Sequence, residues 1–192
     1  MNLPTQLTLI RISLVPLVVV FLISSAWVHS LIAAAIFVAA SLTDWLDGLI
    51  ARRRHQETTL GKLLDPVADK LLVAAALISL VQIGTVPAWM VLLIVGREFA
   101  VTGLRGVAAS LGMLVPSSDL AKYKTVLQYV AVTLLILERS LPDTVMPDYV
   151  YLSRGVLWAA LILTVASGID YFIRFFRKSD LEVMVKGEDR WP

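Results

Sequence analysis

Apolar runs follow one another along this chain with so little between them that no soluble core can accommodate them. Six are delimited, at roughly 7–25, 28–50, 63–83, 86–107, 120–138 and 150–173, each close to the ~20 residues that a helix needs to cross a bilayer. Lipid leaves only helices or a closed barrel as spanning structures, because backbone N–H and C=O groups find no water there. The runs lack the period-two alternation of barrel strands and are read as helices. The expected fold is an all-α integral membrane protein with six transmembrane helices, one domain over residues 1–192. Composition agrees, with 58% of the residues hydrophobic and 17% charged, against about 25% charged in soluble proteins. The segment Asn2 to Arg11 mixes polar and apolar residues, and is expected to lie in the interface before the chain turns inward.

The net charge of +2 would suggest nucleic acid in a soluble basic protein. Here the positions of the basic residues matter more than their sum, and no nucleic-acid partner is expected. Arg11, then Arg52, Arg53, Arg54 and Lys62, then Arg105, Lys122 and Lys124, then Arg174, Arg177 and Lys178 fall on one side of a chain that crosses six times. The opposite connections, near 26–28, 83–87 and 139–149, hold little basic charge beyond Arg139. By the positive-inside rule both termini, the 51–62 loop and a charged tail over 178–192 face the cytoplasm. Arg11, the apolar run after it and the small residues Ser24 to Ala26 imitate a signal peptide, but the charge pattern requires this helix to enter from the cytoplasmic side. The absence of cysteine excludes disulfides and thiol chemistry.

Four acids interrupt this apolar background: Asp44 and Asp47 near the end of the second run, Asp65 and Asp69 at the start of the third. Acids inside membrane segments are costly, so their placement points to function. Spacings of three and four residues put each pair on one helix face, and Gly48 and Ala51 continue the first face with small side chains. Pro66 is expected in the first turn of the third helix, where its missing N–H costs nothing. Asp44 lies eight residues before Arg52 and Asp69 eight after Gly61, about 12 Å from the helix ends at 1.5 Å per residue. If the two helices face each other, four carboxylates share one cavity open to the cytoplasm. Such a cluster repels itself unless cations bind or some acids stay protonated. Carboxylates with no usable His or Cys suit Mg²⁺ or Mn²⁺ rather than zinc, and enough are present for two ions clamping a phosphate. Gly48 and Gly61 permit close backbone approach, the start of the third helix offers N–H groups, and Arg52 supplies a guanidinium. Phosphoryl-type transfer at the membrane surface is the leading reaction class.

The stretch Asp44 to Asp69 fits D-x2-D-G-x2-A-R-x8-G-x3-D-x3-D without a gap, and so resembles the CDP-alcohol phosphotransferases. The resemblance implies six membrane helices, a homodimer, a site open to the cytoplasm, a CDP-linked substrate and CMP as leaving group. It implies two Mg²⁺ or Mn²⁺ ions on Asp44, Asp47, Asp65 and Asp69, with Asp69 also taking the proton of the attacking hydroxyl. CDP is then cradled by Gly48, Ala51, Arg52 and Gly61 beside Asp44, Asp47 and Asp65, with Thr8 as a further contact. Pro4-Thr5-x-Leu7-Thr8-x-x-Arg11, Arg97-Glu98-x6-Arg105 and Ala121-Lys122-x-Lys124-Thr125 are similar to the phosphatidylglycerophosphate synthases of that family. These use CDP-diacylglycerol and sn-glycerol 3-phosphate at the bacterial inner membrane. An acceptor that carries a phosphate needs cations, and Arg97, Arg105, Lys122 and Lys124 supply them. The two lysines are about 200° apart on a helix, so one of them is expected to face the site.

Other readings follow from the same residues. Phosphatidylglycerol, serine or inositol phosphate are alternative acceptors, and intramembrane acids also mark cation or proton transporters. The acids can form an ion-pair network with Arg52 and Lys70, and Arg97 can pair with Glu98. Arg53 and Arg54 read as anchors, His29 and His55 as bystanders, and Asp170 with Arg174 as an i,i+4 pair. Gly96, Gly103 and Gly106 suggest close helix packing, at a dimer interface for example. The last two runs otherwise read as packing and anchoring, with Tyr149, Tyr151 and Trp158 suited to the interface.

Overall fold

Every apolar run becomes one helix. The computed structural model describes the backbone of residues 3–54, 59–113, 119–141 and 146–188, and side chains within 8–43, 67–113, 122–141 and 146–178. The helices are α1 (Leu3–Ile23), α2 (Trp27–Arg54), α3 (Thr59–Gln82), α4 (Ala88–Ser110), α5 (Asp119–Leu137) and α6 (Met146–Glu188), with a 3₁₀ turn over Glu138–Ser140 after α5. Among the described residues there is no strand. The stretch Met146–Lys178 of α6, 33 residues with a mean hydropathy of 1.9, is long and apolar enough to cross a membrane. Thr8–Ile23 and Trp27–Thr43 form shorter apolar helices.

Three expectations are corrected. The residues from Leu3 to Arg11 do not turn before the first apolar run; they are the first part of α1 itself. Pro4 falls in the first turn, where proline is tolerated, and Leu7 and Leu9 favour continuation. Pro66 is not in a first turn, because α3 already starts at Thr59. The helix-forming Leu60, Lys62, Leu63 and Leu64 carry it upstream, leaving the proline inside the helix, where it donates no bond to the carbonyl four residues earlier. Finally, α6 does not end with the apolar run but continues to Glu188, 43 residues in all. At 1.5 Å per residue that is about 65 Å, twice the ~30 Å hydrocarbon layer, so its charged end projects beyond any bilayer that holds its apolar part. With the observed ends, Asp44 and Asp69 each lie ten residues from a helix terminus, at Arg54 and Thr59. Both sit about 15 Å in, and the matched depth read from the sequence persists.

The helices close into a ring. α1 packs against α2 and α3, α3 against α4, α4 against α6, α6 against α5 and α5 against α2, while α3 and α5 also touch across the middle. Val18, Leu22, Phe37, Leu77, Leu80, Ile94, Leu135 and Leu157 are fully enclosed at the centre. The outward positions are equally apolar: Val20, Ile78, Leu92, Val126, Ile162 and Ile173 are all exposed. Helices apolar on both faces belong in lipid, since in water this surface would be one large hydrophobic patch. Left-handed glycines end two of the helices. Gly84 (φ 75°) follows α3, with Thr85 N–H reaching the Leu80 carbonyl at 2.9 Å, and Gly112 (φ 74°) follows α4, with Met113 N–H reaching Ala108 at 2.8 Å.

At the far end from the four acids, the 3₁₀ turn clasps two helices. Arg139 donates to the carbonyls of Leu22 (3.1 Å) and Ser24 (3.2 Å) at the end of α1. Its neighbour Glu138 accepts from Ser153 (3.1 Å) and Arg154 (3.0 Å) of α6.

Phe37 of α2 is enclosed, and its ring lies 5.9 Å from that of Tyr129 on α5. Phe37→Ala leaves a cavity at this contact and is expected to destabilise the bundle by about 3–5 kcal/mol. A lowered unfolding midpoint in detergent checks it.

Candidate active site

The core of the site is built by α3, α4 and α5 where they meet. Asp69 and Lys70 come from α3, Arg97 and Glu98 from α4, and Lys124, Thr125, Gln128 and Tyr129 from α5. On α5, Lys124 and Gln128 are one turn apart on the buried face. The Tyr129 hydroxyl donates to the Asp69 carboxylate Oδ1. The Lys124 ammonium, 3% exposed as a residue, bonds the Glu98 carboxylate. Arg97 reaches the same Glu98 oxygen through Nη1 at 3.2 Å, and its Nη2 donates to Ser167 Oγ of α6 at 2.8 Å. Glu98 thus holds two cations together where a lone buried charge would be costly.

Outward from this core opens a cavity of about 270 Å³. Asp69, Lys70, Arg97, Glu98, Arg105, Lys122, Lys124, Ser167 and Tyr171 are among its lining residues. Among the described lining residues there are five cations and two acids, Asp69 and Glu98, so this part of the wall is positive on balance. Arg105 lies against Tyr171, its guanidinium carbon 5.6 Å from the ring centroid. On the other side of Tyr129 a much more apolar groove of about 650 Å³ runs between α2 and α5, along Val38, Leu42, Val126, Val130 and Leu134. Thr125 borders both spaces, and Tyr129 lines the groove and the small pocket beside Asp69, so the charged chamber and the greasy groove adjoin along α5.

Asp69, Arg97, Arg105, Lys122 and Lys124 are thereby brought together. Asp44, Asp47, Gly48, Ala51, Arg52, Gly61 and Asp65 have side chains outside the described residues, though the backbone at each is helical. Thr8 is buried on α1, as is Arg11 one turn on, in the helix that packs against both α2 and α3. The expectation that one lysine faces the site is corrected, because both border the cavity: Lys124 is buried against Glu98, while the exposed Lys122 reaches the rim. A long lysine stem covers the angle that helix geometry puts between them. Arg97 does pair with Glu98, and it lines the cavity as well. Asp170 and Arg174 form the exposed i,i+4 pair at 2.9 Å.

Two further readings change. The last two helices are more than packing: Thr125, Gln128, Tyr129, Ser167 and Tyr171 belong to the site walls. A single polar residue in an apolar helix does not declare its face, but Gln128 four residues after Lys124, and Ser167 four before Tyr171, were available as same-face signals. Gly96, Gly103 and Gly106 do not admit close packing within this chain, since a Cβ at each would meet nothing within 4 Å. They are exposed on the outer side of α4.

The donor set fits a hard divalent cation in kind. Around Asp69 the described groups that face the cavity offer carboxylate and hydroxyl oxygens and no imidazole or thiol. Among the described residues no three acids or histidines come together, and Asp69 is the one of the four signature acids whose side chain is described.

Residues 1–166 match the family profile of the CDP-alcohol phosphatidyltransferases. The chain belongs to this family. Among curated CDP-alcohol phosphatidyltransferase relatives, the CDP-diacylglycerol–glycerol-3-phosphate 3-phosphatidyltransferase of Bacillus subtilis is 44% identical over 183 residues, covering 89% of this chain and 93% of that protein. The protein of the same name from Rickettsia bellii is 40% identical over 171 residues, with 89% and 93% covered. A probable phosphatidylglycerophosphate synthase of Mycobacterium tuberculosis is 40% identical over 179 residues, with 92% and 82% covered. Divalent-metal dependence is general in the CDP-alcohol phosphatidyltransferases, which agrees with the oxygen donors facing this cavity.

Proposed function

We propose that this protein transfers the phosphatidyl group of CDP-diacylglycerol to sn-glycerol 3-phosphate, giving phosphatidylglycerophosphate and CMP. The observation that carries this reading is the meeting of three surfaces at one place. Asp69 of the family signature lines a chamber walled by Arg97, Arg105, Lys122 and Lys124, and an apolar groove abuts the same wall at Thr125. The groove suits acyl chains, the signature acids the pyrophosphate, and the cations an acceptor that is itself a phosphate. The names and high coverage of the relatives support the same substrates.

In the reaction, the acceptor hydroxyl oxygen attacks the phosphorus bonded to diacylglycerol. A new P–O bond forms there, the bond to CMP breaks, and its electron pair leaves on the CMP phosphate oxygen. Asp69 takes the hydroxyl proton, and Tyr129 orients its carboxylate by donating to Oδ1. Arg97, Arg105, Lys122 and Lys124 bind the acceptor phosphate and fix the hydroxyl toward Asp69. Gly48, Ala51, Arg52, Gly61 and Thr8 hold the CDP group. Asp44, Asp47, Asp65 and Asp69 would hold two Mg²⁺ or Mn²⁺ ions, which supply charge neutralisation at the two phosphates.

The whole chain, 1–192, forms one such domain with six spans, both termini and the end of α6 on the cytoplasmic side of a bacterial inner membrane. The clustering of basic residues on that side supports this orientation. The protein forms a homodimer, for which the exposed small residues Gly96, Gly103 and Gly106 of α4 offer a face of close approach.

Purified protein given Mg²⁺ or Mn²⁺, CDP-diacylglycerol and labelled glycerol 3-phosphate is expected to release CMP and form a labelled phosphatidylglycerophosphate. Release with serine, inositol phosphate or phosphatidylglycerol alone moves the acceptor assignment. No release with any acceptor ends the enzyme reading.

A further inference from the structure

Seven glycines are described, and at six of them a Cβ would meet nothing within 4 Å. Gly168 of α6 is the exception. A Cβ there would lie 2.9 Å from Cγ, 3.3 Å from Nε and 3.7 Å from Cδ of Arg97. The residue is buried, and the arginine stem lies flat on its bare backbone. The preceding residue, Ser167, accepts from Nη2 of the same arginine at 2.8 Å, and Glu98 takes Nη1 at 3.2 Å. Nε is buried and has no hydrogen-bond partner among the described residues. One turn on, Tyr171 holds Arg105 through its ring face, a contact that occupies none of the guanidinium N–H groups.

We infer that Ser167, Gly168 and Tyr171 of α6 are positioning residues that set the two α4 arginines for the phosphate of the acceptor. The inference rests on the proposed phosphate-bearing acceptor. Arg97 and Arg105 leave α4 eight residues apart, about 12 Å along its axis, whereas the residues that hold them span four residues of α6, about 6 Å. The last helix gathers both side chains onto one short stretch of the cavity wall. Glu98 takes one of the two N–H groups on Nη1 of Arg97 and Ser167 one of the two on Nη2, so the second N–H of each is left for a ligand oxygen in the cavity that Arg97 lines. A methyl group at position 168 acts on the arm that carries Nε, since it meets Cγ and Nε rather than a flexible tip. The effect of α6 on the reaction is therefore selective: it controls how the acceptor binds and leaves the CDP-lipid side untouched.

The test uses the full chain in detergent, with inorganic phosphate as the binding probe by calorimetry and with separate KM values for glycerol 3-phosphate and CDP-diacylglycerol. Gly168→Ala is expected to weaken phosphate binding, and to raise the KM for glycerol 3-phosphate, by about tenfold or more, with the KM for CDP-diacylglycerol within about twofold of wild type. Ser167→Ala, which adds no bulk, shifts the same two quantities by about three- to tenfold. Gly155→Ala, on the same helix in open space, changes none of them. In an Arg97→Ala background the Gly168→Ala effect falls to within about twofold, as coupling through that side chain requires. The inference is overturned if Gly168→Ala leaves phosphate binding unchanged, acts equally without Arg97, or raises both KM values together, or if the wild type does not bind phosphate. Phosphate binding that weakens as expected in a protein that never turns over glycerol 3-phosphate leaves the positioning standing and defeats the proposed function instead.

Discussion

Asp69→Asn is expected to lower kcat by about 10²–10⁴-fold, the range for a lost general base, while CDP-diacylglycerol binding stays measurable. Asparagine has nearly the size of aspartate and still offers an oxygen to the Tyr129 hydroxyl, so the contact between α3 and α5 is kept. What disappears is the negative charge and the ability to take a proton. The loss therefore belongs to turnover and not to folding, and a single-turnover measurement of CMP release beside a CDP-lipid binding isotherm separates the two. Unchanged turnover would remove Asp69 from the role of base.

Arg105→Ala is expected to raise the KM for glycerol 3-phosphate by about 10- to 150-fold, equivalent to the ~1.5–3 kcal/mol of a hydrogen bond to a charged group. The KM for CDP-diacylglycerol should stay near its wild-type value. Arg105 borders the outer cavity, packed on Tyr171, away from the apolar groove. Arg105→Lys recovers only part of the loss, since an ammonium keeps the charge but neither the planar stacking on the ring nor a two-pronged hold on phosphate. A variant that loses CDP-lipid affinity instead would put Arg105 on the nucleotide side of the site.

What was legible beforehand had a steep free-energy reason behind it. Apolar runs of bilayer length can only be helices in lipid, and each run is one helix. Asp69 stood out because an acid in such a run is costly, and Arg97 and Arg105 because they recur eight residues apart beside Glu98. What escaped was set by rotation and by neighbours. Tyr129 reads as one more aromatic in an apolar helix until α5 is turned so that its hydroxyl meets Asp69. Gly168 looks like the other glycines of the chain, and its meaning lies wholly in the Arg97 stem seventy-one positions earlier. The reverse holds for Gly96, Gly103 and Gly106, whose spacing suggested contacts that this chain does not make with itself. Helix ends also misled, because good helix formers before Asp65 and after the sixth apolar run extend α3 and α6 beyond the hydrophobic pattern.

The clasp at Glu138 and Arg139 bears on biogenesis. Arg139 is 117 residues downstream of the Leu22 carbonyl it satisfies. At a synthesis rate of about 5–20 residues per second, it leaves the ribosome some 6–23 s after that carbonyl. Until then the end of the first helix depends on interfacial water, and Glu138 depends on it slightly longer, until Ser153 and Arg154 follow. Two adjacent residues thus tie the earliest and the latest helix to the same corner. A chain that stalls before its sixth helix lacks the Ser153 and Arg154 donors that Glu138 meets at that corner in the finished fold.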